Sequence, residues 1–180
     1  MRHVVLCLLL LFPVLASASD ADRFKQAGFA QQAHELVLKN QAVATYLWAD
    51  IYVAALYASA DQTATQAANL QKGLRLELYY LRDIDREDII EAATKALQQQ
   101  QTPQALARLK PELDRLHESF NDIDPGDRYA LDYQPRRGLN LEVNGKVVFN
   151  SKSEELAKAY LGIWLAPKGL SEPLRISLLK

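Results

Sequence analysis

The residues best suited to chemistry sit in one short segment, TYLWADIYVAALY, from Thr45 to Tyr57. Trp48, Tyr52 and Tyr57 each join an apolar ring to one polar tip. Such residues serve either as the wall of a ligand cavity or as packed core, and the segment alone leaves both open. Asp50 is the odd polar residue there, placed to cap a helical start or to pair with a cation. Downstream, Arg75 and Tyr79 lie on a second apolar run, and His34 lies upstream. The histidines His3, His34 and His117 show neither HExxH nor any other paired-ligand spacing, so no metal site is expected. No GxSxG, P-loop or GxGxxG pattern occurs, and seven glycines leave little room for a phosphate cradle. No cofactor is expected. The acid pairs Asp83/Asp85 and Glu87/Asp88 fall at a predicted helix start, where carboxylates favour the positive end of the helix dipole. That explains them better than a glycosidase pair facing across a cleft. Arg82 beside Asp83 reads as a local ion pair, and Arg136-Arg137 as a solvated turn.

Residues 1–18 read as a secretory leader. Arg2 and His3 form the basic start, Val4 to Leu15 the apolar stretch, and Ala16-Ser17-Ala18 the cleavage site. The apolar stretch is too short for a flanked spanning helix, and no later stretch is apolar enough. No stable membrane span is expected after cleavage. Cys7, the only cysteine, leaves with the leader. A cysteine-free exported chain fits a bacterial periplasm better than a disulfide-dependent secreted domain. The formal net charge of −1 gives no reason to expect nucleic acid as a partner. The remainder, 19–180, suits a single domain.

The elements that must position the candidates follow from periodicity. Ser19 to Ala33 is a polar start without a strong pattern. His34 to Lys39 reads as a strand, Asn40-Gln41 as a turn, and the segment around Tyr52 as a strand apolar on both faces and covered on both. A short helix over 61–70 is capped by Asp61. Gly73 to Arg82 alternates cleanly: Leu74, Leu76, Leu78 and Tyr80 face one way, Arg75, Glu77, Tyr79 and Leu81 the other. Asp85 caps a helix to about Gln101. Thr102-Pro103 starts another to about Phe120, which Pro111 is expected to kink or split. Arg128 to Tyr133 is a strand. The Asn144-Gly145 pair marks a hairpin between runs at Leu139 and Phe149. Helices start at Ser151 or Ser153 and at Ser171. Segregated strands and helices argue an α+β fold with a largely antiparallel sheet under helices.

TYLWADIYVAALY, LELYYLRDI (Leu76 to Ile84), PGDRYALDY (Pro125 to Tyr133) and AYLGIWLAPKGLSEPLRISLL (Ala159 to Leu179) together resemble the bacterial chalcone isomerase-like proteins. The resemblance implies an open-faced sandwich, a helical layer over a curved sheet with a ligand cleft between. Plant enzymes of this superfamily cyclise chalcones with a strand arginine, a threonine on the next strand, and a helix tyrosine and asparagine. The matching positions fall near His34, at Tyr52, and near Glu87 and Thr94, so none of the four is retained. No chalcone isomerase activity is expected. A second branch binds fatty acids, holding the carboxylate with an arginine and a tyrosine. Tyr52 stands where that tyrosine would be. The arginine is missing from its matched position, and Arg75 or His34 is the candidate substitute.

The leading expectation is therefore a periplasmic, non-catalytic protein that binds an apolar small molecule such as a fatty acid. Tyr52 and Arg75 would hold the head group, with Trp48, Tyr57 and Tyr79 lining the cleft. One alternative is an isomerase or lyase using His34 and Tyr52 for proton transfer. The other is an envelope interaction module without a small ligand.

Overall fold

The computed structural model describes residues 19–180, and the leader read over residues 1–18 lies outside them. Seven strands form one antiparallel sheet in which each strand pairs with the next in sequence. They are β1 (Gln32–Ala33), β2 (Leu36–Tyr46), β3 (Ala49–Ala58), β4 (Leu74–Tyr80), β5 (Arg128–Gln134), β6 (Gly138–Val143) and β7 (Lys146–Ser151). The helices are α1 (Asp20–Ala27), α2 (Ala64–Ala67), α3 (Arg86–Gln100), α4 (Pro103–Glu118), α5 (Glu154–Leu165) and α6 (Glu172–Leu178). This is the expected α+β sandwich. None of the described helices is long and apolar enough to cross a membrane.

The two faces of the central strands bury different chemistry. Toward the helices point Tyr52, Ala54 and Leu56 of β3, then Leu74, Leu76, Leu78 and Tyr80 of β4, then Tyr129, Leu131 and Tyr133 of β5. They pack with α3, α4, α5 and α6 in one core. The opposite face is covered by the N-terminal segment. There Leu36, Ala55 and Tyr57 cluster with Phe29, Ala33 and Leu38. The Tyr57 hydroxyl donates to the Ala30 carbonyl at 3.0 Å, and Arg128 donates to the Ala27 carbonyl. The expectation of a strand covered on both faces holds for β3.

Several boundaries differ from the sequence reading. Ser19 and Asp22 form a capping box that starts α1 in the supposedly patternless segment. Asn40-Gln41 is not a turn: β2 runs through it, with a register shift between Leu38 and Asn40. The turn comes later, at Leu47-Trp48, and splits the aromatic segment between β2 and β3. Thr63, not Asp61, caps α2. Pro111 does not split α4, which runs unbroken from Pro103 to Glu118. Pro111 and Ala107 are both exposed, so water can satisfy the Ala107 carbonyl that proline leaves without an N–H partner.

A charged cluster ties the N-terminally covered face together. Arg75 Nη1 donates to Glu142 at 2.8 Å and to Asp132 at 3.3 Å, and its Nε donates to Glu77 at 3.2 Å. Arg128 donates to the other Glu77 oxygen at 2.9 Å and stacks over Tyr79 and Phe29 with centroid distances of 5.0 and 5.3 Å. Antiparallel register sets Arg75 directly opposite Asp132. Burial works against the charge on Arg75, but Glu142, with Glu77 and Asp132, outweighs it and raises the pKa. Removing one partner of such a group leaves the others buried and uncompensated. Arg75→Ala is therefore expected to destabilise the protein by about 3–5 kcal/mol in chemical denaturation. A loss below about 1 kcal/mol, the range of exposed pairs, would show that the cluster does not hold the face.

A tyrosine-lined cavity between sheet and helices

A cavity of about 720 Å³ lies between the sheet and the helical layer. Its floor is the helix-facing side of β3, β4, β5 and β6: Tyr52, Leu76, Leu78, Tyr80, Leu131 and Leu141. Its roof comes from α3, through Ile89, Ala92, Ala93 and Ala96, and from α5, through Tyr160 and Trp164. Alanines on the facing stripe of α3 leave the space that larger side chains would fill. At the mouth stand Thr45 and Tyr46 of β2, Leu170 of the α5–α6 connection, and the charged residues Arg82, Asp83, Asp88, Glu91 and Lys95.

A closed circuit of aromatic contacts runs through the inner wall. Tyr52 lies 5.4 Å from Tyr80, centroid to centroid, and Tyr80 lies 5.6 Å from Tyr129. Tyr129 stacks on Phe120 at 5.8 Å, and Phe120 meets His117 at 6.2 Å. His117 is 6.0 Å from Tyr160, which is 6.2 Å from Trp164. Trp164 Nε1 closes the circuit by donating to the Tyr52 hydroxyl at 3.0 Å. Each link has a local cause. Register puts Tyr52 opposite Tyr80 and Leu78 opposite Tyr129, so Tyr80 and Tyr129 are diagonal neighbours. Tyr160 and Trp164 are four apart on α5, on one helix face.

The phenols are neutral donors. Burial pushes the Tyr52 pKa up to about 12, against a smaller opposing effect of the Trp164 hydrogen bond. Burial raises Tyr80 and Tyr160 further. Tyr52 accepts the indole N–H, so its own proton is free to donate. The hydroxyls of Tyr80 and Tyr160 have no hydrogen-bond partner among the described residues. The inner cavity thus offers three hydroxyls to a guest and is otherwise mostly apolar.

Of the six candidates drawn from the sequence, the cavity takes only Tyr52. Arg75 lies on the opposite face of the sheet, held by Glu77, Asp132 and Glu142. Tyr79 and Tyr57 share that face, packed against Arg128 and beneath the N-terminal segment. His34 is there too, 61 % exposed, with Nε2 3.7 Å from Asp132 and 4.0 Å from Glu142. Tyr52 and His34 therefore do not converge on one site. His34, Asp132 and Glu142 place donor atoms within 4.8 Å of one another, but Arg75 already supplies the positive charge between the two carboxylates. Trp48 is 87 % exposed at the β2–β3 turn, not on the cavity wall. Asp50 pairs with Arg23 at 2.9 Å, the cation-pairing option. Arg82 donates to the Asp50 carbonyl rather than pairing with Asp83.

Alternation alone does not identify Tyr80, Tyr129, Tyr160, Phe120 and Trp164 as one wall. The signals were present, in the shared face of Leu78 and Tyr80 and in the spacing of Tyr160 and Trp164. What joins them is cross-strand register, which a single sequence does not display.

The buried phenols carry a pH signature. An unfolded tyrosine ionises near 10, whereas Tyr52 ionises near 12 in the fold. Its contribution is complete below pH 10 and is lost as pH rises toward 12. Between those values the unfolded chain binds fewer protons, and stability should fall by about 1.4 kcal/mol per pH unit for each such group. Denaturation midpoints across pH 9 to 12 test this. Tyr52→Phe should make the slope shallower, and an unchanged slope would remove Tyr52 from the buried set.

The family comparison agrees with the architecture. A crystal structure of a fatty-acid binding protein from Arabidopsis thaliana superposes with a TM-score of 0.62, covering 86 % of this chain and 93 % of that one. Sequence identity is 15 %, so the likeness is one of fold. No curated protein sequence matches the chain significantly. The model of the chalcone isomerase-like family matches residues 22–180, and the chain belongs to that family.

Proposed function

We propose that this protein binds a small amphiphile, a fatty acid or a molecule of similar shape, in the cavity between sheet and helices, without transforming it. The carrying observation is the cavity itself: about 720 Å³, apolar over most of its wall, with the neutral hydroxyls of Tyr52, Tyr80 and Tyr160 at its inner end. That volume lies within the range of small-molecule sites, about 300–1,000 Å³. The apolar chain takes the Ala92, Ala93, Ala96, Leu76 and Leu78 walls, and the polar end accepts hydrogen bonds from the phenols. A fold neighbour that is a fatty-acid binding protein supports the ligand class. The phenols favour holding over proton transfer, because burial keeps them protonated far above neutral pH. The leader-like residues 1–18 support a periplasmic location.

Ala92 lines the cavity and is only half-buried, so a large side chain there enters the cavity without displacing packed core. Native mass spectrometry and equilibrium binding of a sixteen-carbon fatty acid should show one bound molecule. Ala92→Trp should reduce the affinity at least tenfold with an unchanged circular dichroism spectrum. Tyr52→Phe should weaken binding by about two- to tenfold, the worth of one hydrogen bond. A protein that takes up no fatty acid, or one that Ala92→Trp leaves unaffected, would refute this reading.

A further inference from the structure

The β2–β3 hairpin breaks the ordinary rule for its turn. Tyr46 pairs with Ala49, leaving a two-residue connection, Leu47-Trp48. Leu47 has a φ of 55°, in the left-handed region. Such turns favour glycine, asparagine or aspartate, whose small or self-bonding side chains tolerate that backbone. The chain's other two-residue connections are polar: His34-Glu35 joins β1 and β2, with a φ of 54° at His34. Asn144-Gly145 connects β6 and β7 with φ values of 50° and 79°. At the β2–β3 tip it instead places leucine and tryptophan, two residues that gain nothing from the turn. They gain nothing from the core either: Tyr46 and Leu47 are 71 % exposed and Trp48 is 87 % exposed. Three consecutive large apolar side chains therefore stand in water at a position where small polar ones would fold more easily.

The location supplies a reason. Tyr46 is at once part of this tip and part of the cavity wall. Leu170, another exposed apolar residue, lines the same mouth. Around it both signs of charge are interspersed: Arg82 and Lys95 with Asp83, Asp88 and Glu91. Lys95 is paired with Glu91 at 2.5 Å. This is the layout of an interfacial anchor. Tryptophan and tyrosine settle at the headgroup level, an aliphatic side chain reaches deeper, and mixed charges meet a zwitterionic surface.

We propose that the Tyr46-Leu47-Trp48 tip inserts into the interface of a zwitterionic phospholipid bilayer. Insertion seats the cavity mouth on the membrane, so that an apolar guest passes between bilayer and cavity without crossing water. This rests on the reading of the cavity as an amphiphile site. Because the mouth carries charges of both signs, apolar burial rather than anionic attraction holds the tip in place, and binding should persist at 0.5 M salt.

Leu47→Gly combined with Trp48→Asn restores ordinary turn chemistry, so the variant is expected to fold at least as well as the parent. The probe is phosphatidylcholine vesicles carrying a labelled fatty acid. The parent protein should float with the vesicles, and its tryptophan emission should shift to the blue. Measured with vesicles free of fatty acid, that shift reports Trp48, because the other tryptophan, Trp164, is buried at the cavity wall and senses a guest rather than the bilayer. The variant should lose vesicle flotation about tenfold or more and extract the fatty acid correspondingly more slowly. Its affinity for octanoate in solution should equal that of the parent. Flotation of the variant equal to the parent's overturns the proposal. So does a parent that ignores vesicles, an outcome that would assign the tip to a protein partner. A parent that floats through its tip but binds neither octanoate nor the labelled acid upholds the anchor and refutes the amphiphile reading alone.

Discussion

Both faces of the central strands are buried, and the rest of the structure follows from how that burial is divided. A strand covered on two sides cannot pair a wet face with a dry one. It must supply two internal environments at a spacing of one residue. In β4 the division is complete. Leu74, Leu76, Leu78 and Tyr80 enter the helical core, while Arg75, Glu77 and Tyr79 enter the space under the N-terminal segment. Charges buried on that second side are tolerated because each has a partner: Arg75 serves three carboxylates and Arg128 returns to Glu77. Arg128 and the Tyr57 hydroxyl also fasten α1 and the residues after it, through the Ala27 and Ala30 carbonyls respectively. Those contacts leave the remaining helices to cover the other face.

On that other face the sheet and helices do not meet everywhere. Well-packed interiors leave few voids larger than a water molecule, so a cavity of this size needs walls that resist collapse. Rigid aromatic side chains supply them. The circuit from Tyr52 through Tyr80, Tyr129, Phe120, His117 and Tyr160 to Trp164 draws on three strands, two helices and the second residue after α4. The Trp164 hydrogen bond to Tyr52 fixes the distance between α5 and β3. Small residues on α3 then leave the enclosed space open. Aromatics hold the frame and alanines make the room.

The architecture was largely legible in the sequence because strand alternation and helix caps are local signals. Thr102-Pro103, Ser153 and Ser171 start helices where their chemistry says they should. The site was less legible. The separation of Arg75 and Tyr79 from Leu76 and Tyr80 could be read from β4 alone. Whether Tyr52 of β3 joins the first set or the second depends on register, and Tyr52 pairs with Tyr80. A shift of one residue would reverse the result. Combining Tyr52 with Arg75 was thus a register error, although both strands were read correctly. The tip was misread for another reason: Leu47-Trp48 contains none of the residues by which turns are recognised. Sequence reasoning fails there because the segment does not obey the folding rule, and such departures concentrate at functional positions.

The charge inventory on either side of the sheet bears on how the proposed ligand would be held. The arginine best placed by sequence to meet a carboxylate is committed to three carboxylates of the protein itself. Moving it to a ligand would strand Glu77, Asp132 and Glu142, at the cost of breaking a buried cluster. The cations at the cavity, Arg82 and Lys95, stand at its mouth. The inner end instead has phenols that donate without carrying charge. Neutral donors hold an ionised head less strongly than a guanidinium does, but they require no buried countercharge when the cavity is empty. They also accept a wider range of polar ends, including alcohols and protonated acids as well as carboxylates. If it binds the proposed amphiphile, a site built in this way would give up affinity for one head group in return for stability when unoccupied, and selection would fall on the length and shape of the apolar part.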